Sequence, residues 1–171
     1  MNSTDIPDAE ALCAALLDQI RPAVTGATVM IGVHTGGAWI AERLHAALGL
    51  ATPLGFLDIS FYRDDFNRVG LHPQVKKSTV PLSIEDAAII LVDDVLFTGR
   101  TVRAAMNELF DYGRPGRIDL AVLVDRGGRE LPVDARFVGA RLELAERQSL
   151  NLTRDAAGRL AFSLIEKKNA S

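Results

Sequence analysis

Residues 89–101 read IILVDDVLFTGRT, and the order of those letters decides the fold. The apolar run from Ala87 to Val92, bounded by Asp86 and Asp93, is the pattern of a strand buried on both faces of a parallel sheet. Asp93 and Asp94 follow at its carboxyl end, 97–101 form a short turn with hydroxyls and a glycine, and a helical pattern begins at once. In open α/β sheets that edge is where ligands bind. An acidic pair can simply end a strand, and a threonine before a helix is commonly just an N-cap. Here cap, glycine and both acids converge on one strand end, which favours a binding site.

The turn has what a phosphate monoester needs. Gly99 lets the backbone come close, Thr98 and Thr101 offer hydroxyls, and the first free N–H groups of the next helix attract an anion. Neither G-x-x-x-x-G-K-[ST] nor a post-strand G-x-G-x-x-G is present, which argues against ATPase and dinucleotide readings. Two adjacent carboxylates repel phosphate, yet they accept hydrogen bonds from a sugar diol and support a magnesium hydration shell. A phosphorylated ribose fits both halves.

Strand, paired acids and T-G-x-T turn resemble the phosphoribosyl pyrophosphate (PRPP) motif of type I phosphoribosyltransferases. Further text, NELFDYGRPG at 107–116, VDRGGRELP at 124–132 and YRDD at 62–65, is similar to the PyrR family of pyrimidine operon attenuation regulators and uracil phosphoribosyltransferases. The likeness runs from about His34 to Gly139 and is weak at both ends.

The resemblance implies an α/β fold of the type I phosphoribosyltransferase kind, with a central mainly parallel sheet, helices on both faces and a small hood. It implies one domain over 1–171, with a lid loop at about 63–81 and the hood at about 125–150. The implied activity is transfer of phosphoribosyl from PRPP to uracil, giving UMP and pyrophosphate with Mg²⁺ carried by PRPP. UMP-responsive control of pyr operon expression goes with it. Two alternatives stay open: a non-catalytic nucleotide sensor that binds RNA, and a transferase acting on a purine base.

Site residues follow from the same resemblance. Asp93, Asp94 and Arg63 are the expected catalytic residues, with the ribose hydroxyls on the two acids. Thr35, Gly36 and Gly37 are expected to receive the pyrophosphate, and Val95, Leu96, Phe97, Thr98, Gly99, Arg100 and Thr101 to complete the PRPP site. Asp125, Arg126 and Gly127 are expected beside the base. Magnesium would lie near Asp93 and Asp94 without a protein site of its own. Implied partners are PRPP, uracil, UMP and pyr messenger RNA, and relatives assemble as dimers or tetramers.

The chain departs from the family at three places. Many members have a basic side chain where Gly36 stands, and some have an RNA-binding histidine at the position of Gly128. The first helix of relatives is rich in bases, whereas Arg21 is the only Lys or Arg before His34.

Bulk properties agree with a single soluble domain. The chain has 171 residues, 48% hydrophobic and 24% charged, enough to bury a core. Nineteen basic against 22 acidic side chains give a net charge of −3, so no global basic field recruits nucleic acid or membrane. Cys13 is the single cysteine, which excludes an internal disulfide and a cysteine-rich metal site and suits a reducing cytoplasm. No apolar run has the length of a membrane span, and the first residues lack a signal-peptide pattern.

In chain order, 8–21 reads as an amphipathic helix burying Leu12, Cys13, Leu16, Leu17 and Ile20. Thr28 to Val33 is a strand that delivers His34-Thr35-Gly36-Gly37 to its end, just before a helix over 38–48. Residues 55–62 form a second strand, and 63–81 a long loop with Arg63, Arg68, Lys76 and Lys77 available to face pyrophosphate. The helix after the acidic motif is expected to bury Val102, Ala105, Met106, Leu109 and Phe110 and to stop at Gly113. Residues 118–124 are a fourth strand, and repeated strand–helix–strand units require right-handed parallel crossovers. Near the end, alternating Leu160, Phe162 and Leu164 mark an edge or hairpin strand, with a turn at 155–158.

Overall fold

Asp8 starts the first element. Its carboxylate accepts the Glu10 N–H at 2.9 Å and caps helix α1 (Ala9–Ile20) in the computed structural model, which describes residues 6–60, 77–80 and 83–166. There follow strand β1 (Val29–Val33), helix α2 (Gly36–Leu48), β2 (Gly55–Leu57), β3 (Ala88–Leu96), helix α3 (Arg100–Tyr112), β4 (Arg117–Asp125) and β5 (Phe137–Arg141). The chain closes with β6 (Gln148–Arg154) and β7 (Leu160–Glu166). The first five strands form one sheet in the order β2-β1-β3-β4-β5, every neighbouring pair parallel. β6 and β7 pair antiparallel in a separate two-stranded sheet.

Side-chain alternation splits the core in two. Met30, Ile90, Val92, Ala121 and Leu123 face α1, α2 and the β6–β7 hairpin, while Val29, Ile31, Ile89, Leu91, Leu120 and Val122 face α3. Helices therefore cover both faces of the sheet. That is why the central strands read as unbroken apolar runs. Leu16 and Ile20, fully buried, fix α1, and Leu109 does the same for α3.

Cys13 sits in the first of these halves. It is 7% exposed, and burial pushes its thiol up to about 11. A disulfide reagent at pH 7.5 is expected to leave the native protein unlabelled for as long as it takes to label the unfolded chain completely. Rapid labelling of the native protein would contradict this placement.

Three expectations change. β3 continues to Leu96, so the acidic pair lies inside the ladder and not beyond it, because Val122, Val124 and Asp125 of β4 go on supplying partners. β2 stops at Leu57, since the Asp58 carboxylate turns back to accept the Ser60 N–H at 3.0 Å and the Ser60 hydroxyl, while the Ser78 hydroxyl takes the Asp58 N–H at 2.8 Å. On α3, Phe110 is 42% exposed and Glu108 takes the buried place, because residues 104, 105, 108 and 109 share the inward face. Arg63, Arg68 and Lys76 lie outside the described residues, as does most of the expected lid. Of 125–150, Phe137–Arg141 is an edge strand of the main sheet. Among the described residues no helix is long and apolar enough to cross a membrane.

Candidate active site

The β3–β4 ladder skips one pair at the acids. Asp93 aligns with Val122 and Val95 with Val124, so Asp94 is passed over. The freed backbone groups turn to the acids themselves: Asp93 Oδ1 accepts the Asp94 N–H at 2.9 Å and Asp94 Oδ1 accepts the Val95 N–H at 2.8 Å. The alternation shifts with it, for Val92 and Val95 face one half of the core and Leu96 the other. One consequence is that two successive carboxylates line the same cavity, Asp93 buried and Asp94 half-buried.

That cavity, about 580 Å³, is of small-ligand size. Its floor is the C-terminal edge of the parallel sheet. His34, Thr35 and Gly36 come from the end of β1, Asp93 to Gly99 from β3 and its turn, and Thr101 and Val102 from α3. Gly99 holds φ at +90°, which lets the chain double back into α3, whose first-turn N–H groups have no acceptor within the helix. The turn is braced from outside. Thr98 O accepts from Glu130 N at 2.9 Å and Leu131 N at 3.1 Å, Leu96 O accepts from Arg126 N at 3.0 Å, and Phe97 O accepts from an Arg129 amino group at 3.0 Å.

α2 begins two residues earlier than expected, and its first two residues, Gly36 and Gly37, are glycines for close approach. A Cβ on Gly37 would lie 2.3 Å from the Val92 carbonyl oxygen, and one on Gly36 would lie 2.3 Å from Asp94 Oδ2. The loop after β1 and the acidic pair of β3 are therefore packed into one unit. The peptide between His34 and Thr35 is cis.

Other expected residues divide. Arg126 lines the cavity, is 8% exposed, and stacks its guanidinium 4.0 Å from the centre of the Phe97 ring. Its Nε has no hydrogen-bond partner among the described residues, and burial lowers its pKa. Asp125 and Gly127 lie outside the lining, as do Gly37 and Arg100. Arg100 pairs with Glu130 at 2.7 Å on the surface.

The Asp125 carboxylate receives Arg129 and Arg141, each at 2.7 Å, and the Gly127 N–H at 3.0 Å. Burial alone would raise its pKa. The Arg129 hydrogen bond, the Gly127 N–H and the charges of both arginines outweigh burial and hold it below the usual carboxylate range. A depressed carboxylate adds stability that is present above its unfolded pKa and lost as pH falls through the folded one. Asp125→Asn is thus expected to lower unfolding free energy by about 2 kcal/mol at pH 7, a value discounted for the exposure of Arg141. The loss should shrink as pH falls below about 3.9, the unfolded carboxyl's value, towards the lower one at which the native carboxyl also protonates. Denaturant titrations at both pH values would show it, and equal losses would refute it.

The family described as Phosphoribosyl transferase domain matches residues 2–146. Relatives named Bifunctional protein PyrR include one from Nitrosococcus oceani, 60% identical over 126 residues that span 72% of this chain and 71% of that protein. Another, from Ralstonia nicotianae, is 48% identical over 155 residues, 88% of each chain. The chain belongs to the PyrR family. Among solved structures, a hypoxanthine-guanine phosphoribosyltransferase from Bacillus anthracis superposes with TM-score 0.63 at 22% identity, covering 83% of this chain and 85% of that one. A hypoxanthine phosphoribosyltransferase from Staphylococcus aureus gives TM-score 0.65 at 19% identity, covering 86% and 80%. These likenesses concern the fold, and the fold is the type I phosphoribosyltransferase one.

Within this PyrR-family chain the cavity has further walls that the local sequence does not single out. Trp39 of α2, Asp58 and Ser60 after β2, and Ser149, Leu150, Asn151 and Leu152 of β6 all line it. The alternation of Leu150 and Leu152 in QSLNLTR was a weak strand signal, and nothing local tied it to the acids of β3. At the PyrR position of Gly128, φ is +73° and a Cβ would meet the Phe97 ring at 2.4 Å.

Proposed function

We propose that this PyrR-family chain transfers the phosphoribosyl group of PRPP to uracil, forming UMP and pyrophosphate, and that UMP in the same cavity governs its action on pyr operon expression. The observation that carries this is the junction at β3. Two carboxylates, a hydroxyl-bearing turn on a helix N-terminus, and Thr35 and Gly36 at the start of α2 share one cavity. The relatives' name, with its word bifunctional, supports pairing catalysis with regulation.

Each residue then has a task. Asp93 and Asp94 hold the ribose hydroxyls, 97–101 hold the 5′-phosphate, and Thr35–Gly37 hold the pyrophosphate, whose charge Arg63 would neutralise. Arg126, with Asp125 and Gly127 behind it, borders the base, where its unpartnered Nε suits a pyrimidine carbonyl. The C1′–oxygen bond breaks with its electron pair leaving on pyrophosphate, uracil N1 bonds to C1′, and the N1 proton departs. Positive charge grows on the ribose, so the chain's work is positioning, leaving-group stabilisation and exclusion of water.

Among the described residues no group of three or more His, Cys, Asp or Glu side chains forms a metal site. The oxygen-only acid pair does fit the outer shell of Mg²⁺ carried by PRPP phosphates, which supplies charge neutralisation on the leaving group. Pyr messenger RNA, self-association into a dimer or tetramer, and a cytoplasmic setting complete the reading.

UMP formation from uracil, PRPP and Mg²⁺ tests it, run beside hypoxanthine, guanine and cytosine. Binding is followed in parallel by the emission of Trp39, the chain's single tryptophan, which lines the cavity. Turnover with uracil alone is expected. A purine accepted in its place would sink the base assignment, and UMP binding without turnover would leave a sensor.

A further inference from the structure

Among the described residues the β6–β7 hairpin shares no ladder with the main sheet, yet it places Ser149, Leu150, Asn151 and Leu152 in the lining of the same cavity as the phosphate turn. A two-stranded hairpin is marginal by itself, so something must set its height above the sheet. Leu152, Leu160 and Phe162 pack into the core, but apolar contact is non-directional. Direction comes from two charged side chains on different helices. Glu10 of α1 accepts the Leu160 N–H at 2.6 Å through Oε1, while its Oε2 pairs with Arg43 of α2. Arg43 gives its other amino group to the Gly158 carbonyl. The pair thereby clasps the β7 side of the 155–159 turn, which is already rigid: Asp155 Oδ1 accepts from Ala157 N and Arg159 N, each at 2.9 Å. At the β6 side of the same turn, Arg154 pairs with Glu42 at 2.7 Å and lies 5.0 Å from the centre of the Trp39 ring.

We propose that Glu10 and Arg43 are positioning residues that set the base-side wall of the cavity by clasping the hairpin turn. They touch no part of the cavity themselves. The proposal rests on the functional reading above and takes the β6 wall, which lies off the phosphate-binding main sheet, as the side the base meets, so it predicts a selective kinetic effect. With the clasp broken the hairpin rides higher, the base is held less closely, and the phosphate contacts on the main sheet stay as they are.

Glu10→Gln and Arg43→Met are expected to raise KM for uracil about fivefold while KM for PRPP and kcat stay within about twofold. Arg43→Lys, which keeps the charge opposite Glu10 and loses the fork to Gly158, should fall between them and the wild type. Hydrogen exchange at the Leu150, Leu152 and Leu160 amides, measured against Val92 and Val122, reads the clasp without any substrate. Faster exchange confined to the hairpin supports the proposal. Unchanged hairpin exchange, exchange raised equally in the main sheet, or both KM values rising together would overturn it. A wild type that turns over no uracil fails the functional reading only, and the exchange result then decides the clasp.

Discussion

Replacing Asp93 and Asp94 together by asparagine is expected to reduce UMP formation by about 10³-fold, roughly 4 kcal/mol of transition-state stabilisation. Asparagine keeps the shape of each side chain and keeps Oδ1, so the 2.9 and 2.8 Å bonds to the Asp94 and Val95 N–H groups survive and the fold with them. What disappears is negative charge beside the ribose, where positive charge grows as pyrophosphate leaves. The two acids belong to one backbone irregularity, so each single variant should lose nearly as much as the pair. Initial rates with saturating PRPP, beside thermal unfolding of the same samples, check this. Turnover within tenfold of the wild type, with an unchanged melting curve, would remove the acids from the chemistry.

Gly37→Ala should destabilise the protein by about 3 kcal/mol, the upper range for forced overpacking. The added Cβ would sit 2.3 Å from the Val92 carbonyl oxygen and 2.9 Å from the Asp93 Cα. Both belong to the backbone of the central strand, so no rotamer change relieves the clash, and either α2 lifts or β3 bends. Gly36→Ala is the informative contrast, because its obstacle is the end of the Asp94 side chain, which can rotate. That variant should keep most of its stability and lose affinity for PRPP. Urea titrations and Trp39-detected binding separate the two outcomes, and equal stability losses would contradict the assignment.

How much could be read beforehand depended on where each element's constraints lie. β3 and β4 were legible because burial on both faces leaves an uninterrupted apolar run, and α1 was legible because Asp8 and Pro7 mark its start. The acids were found with their neighbours yet placed beyond the strand, since continuation to Leu96 depends on partners in β4 some thirty residues away. Phe110 was expected inside by its apolarity, but helical phase puts Glu108 there. Of the site, the acids, Thr35, Gly36 and the turn were visible in local text. Trp39, Asp58 and the β6 residues were not, because only the tertiary arrangement brings them to the same cavity. Asp125 was read as a neighbour of the base from its position after β4, and the engagement of its carboxylate by Arg129 and Arg141 was not legible, because both partners are fixed only by the tertiary arrangement.

The boundary between the two sheets has a consequence for how such a protein can change over generations. The family match ends at 146, and β6 begins at Gln148. The segment that roofs the cavity therefore begins just past the match to the general phosphoribosyltransferase domain, and among the described residues no backbone ladder joins it to the main sheet. Drift in the roof leaves the floor's register intact. New ligand preferences can arise by replacing a hairpin of about twenty residues, with the phosphate-handling floor inherited whole.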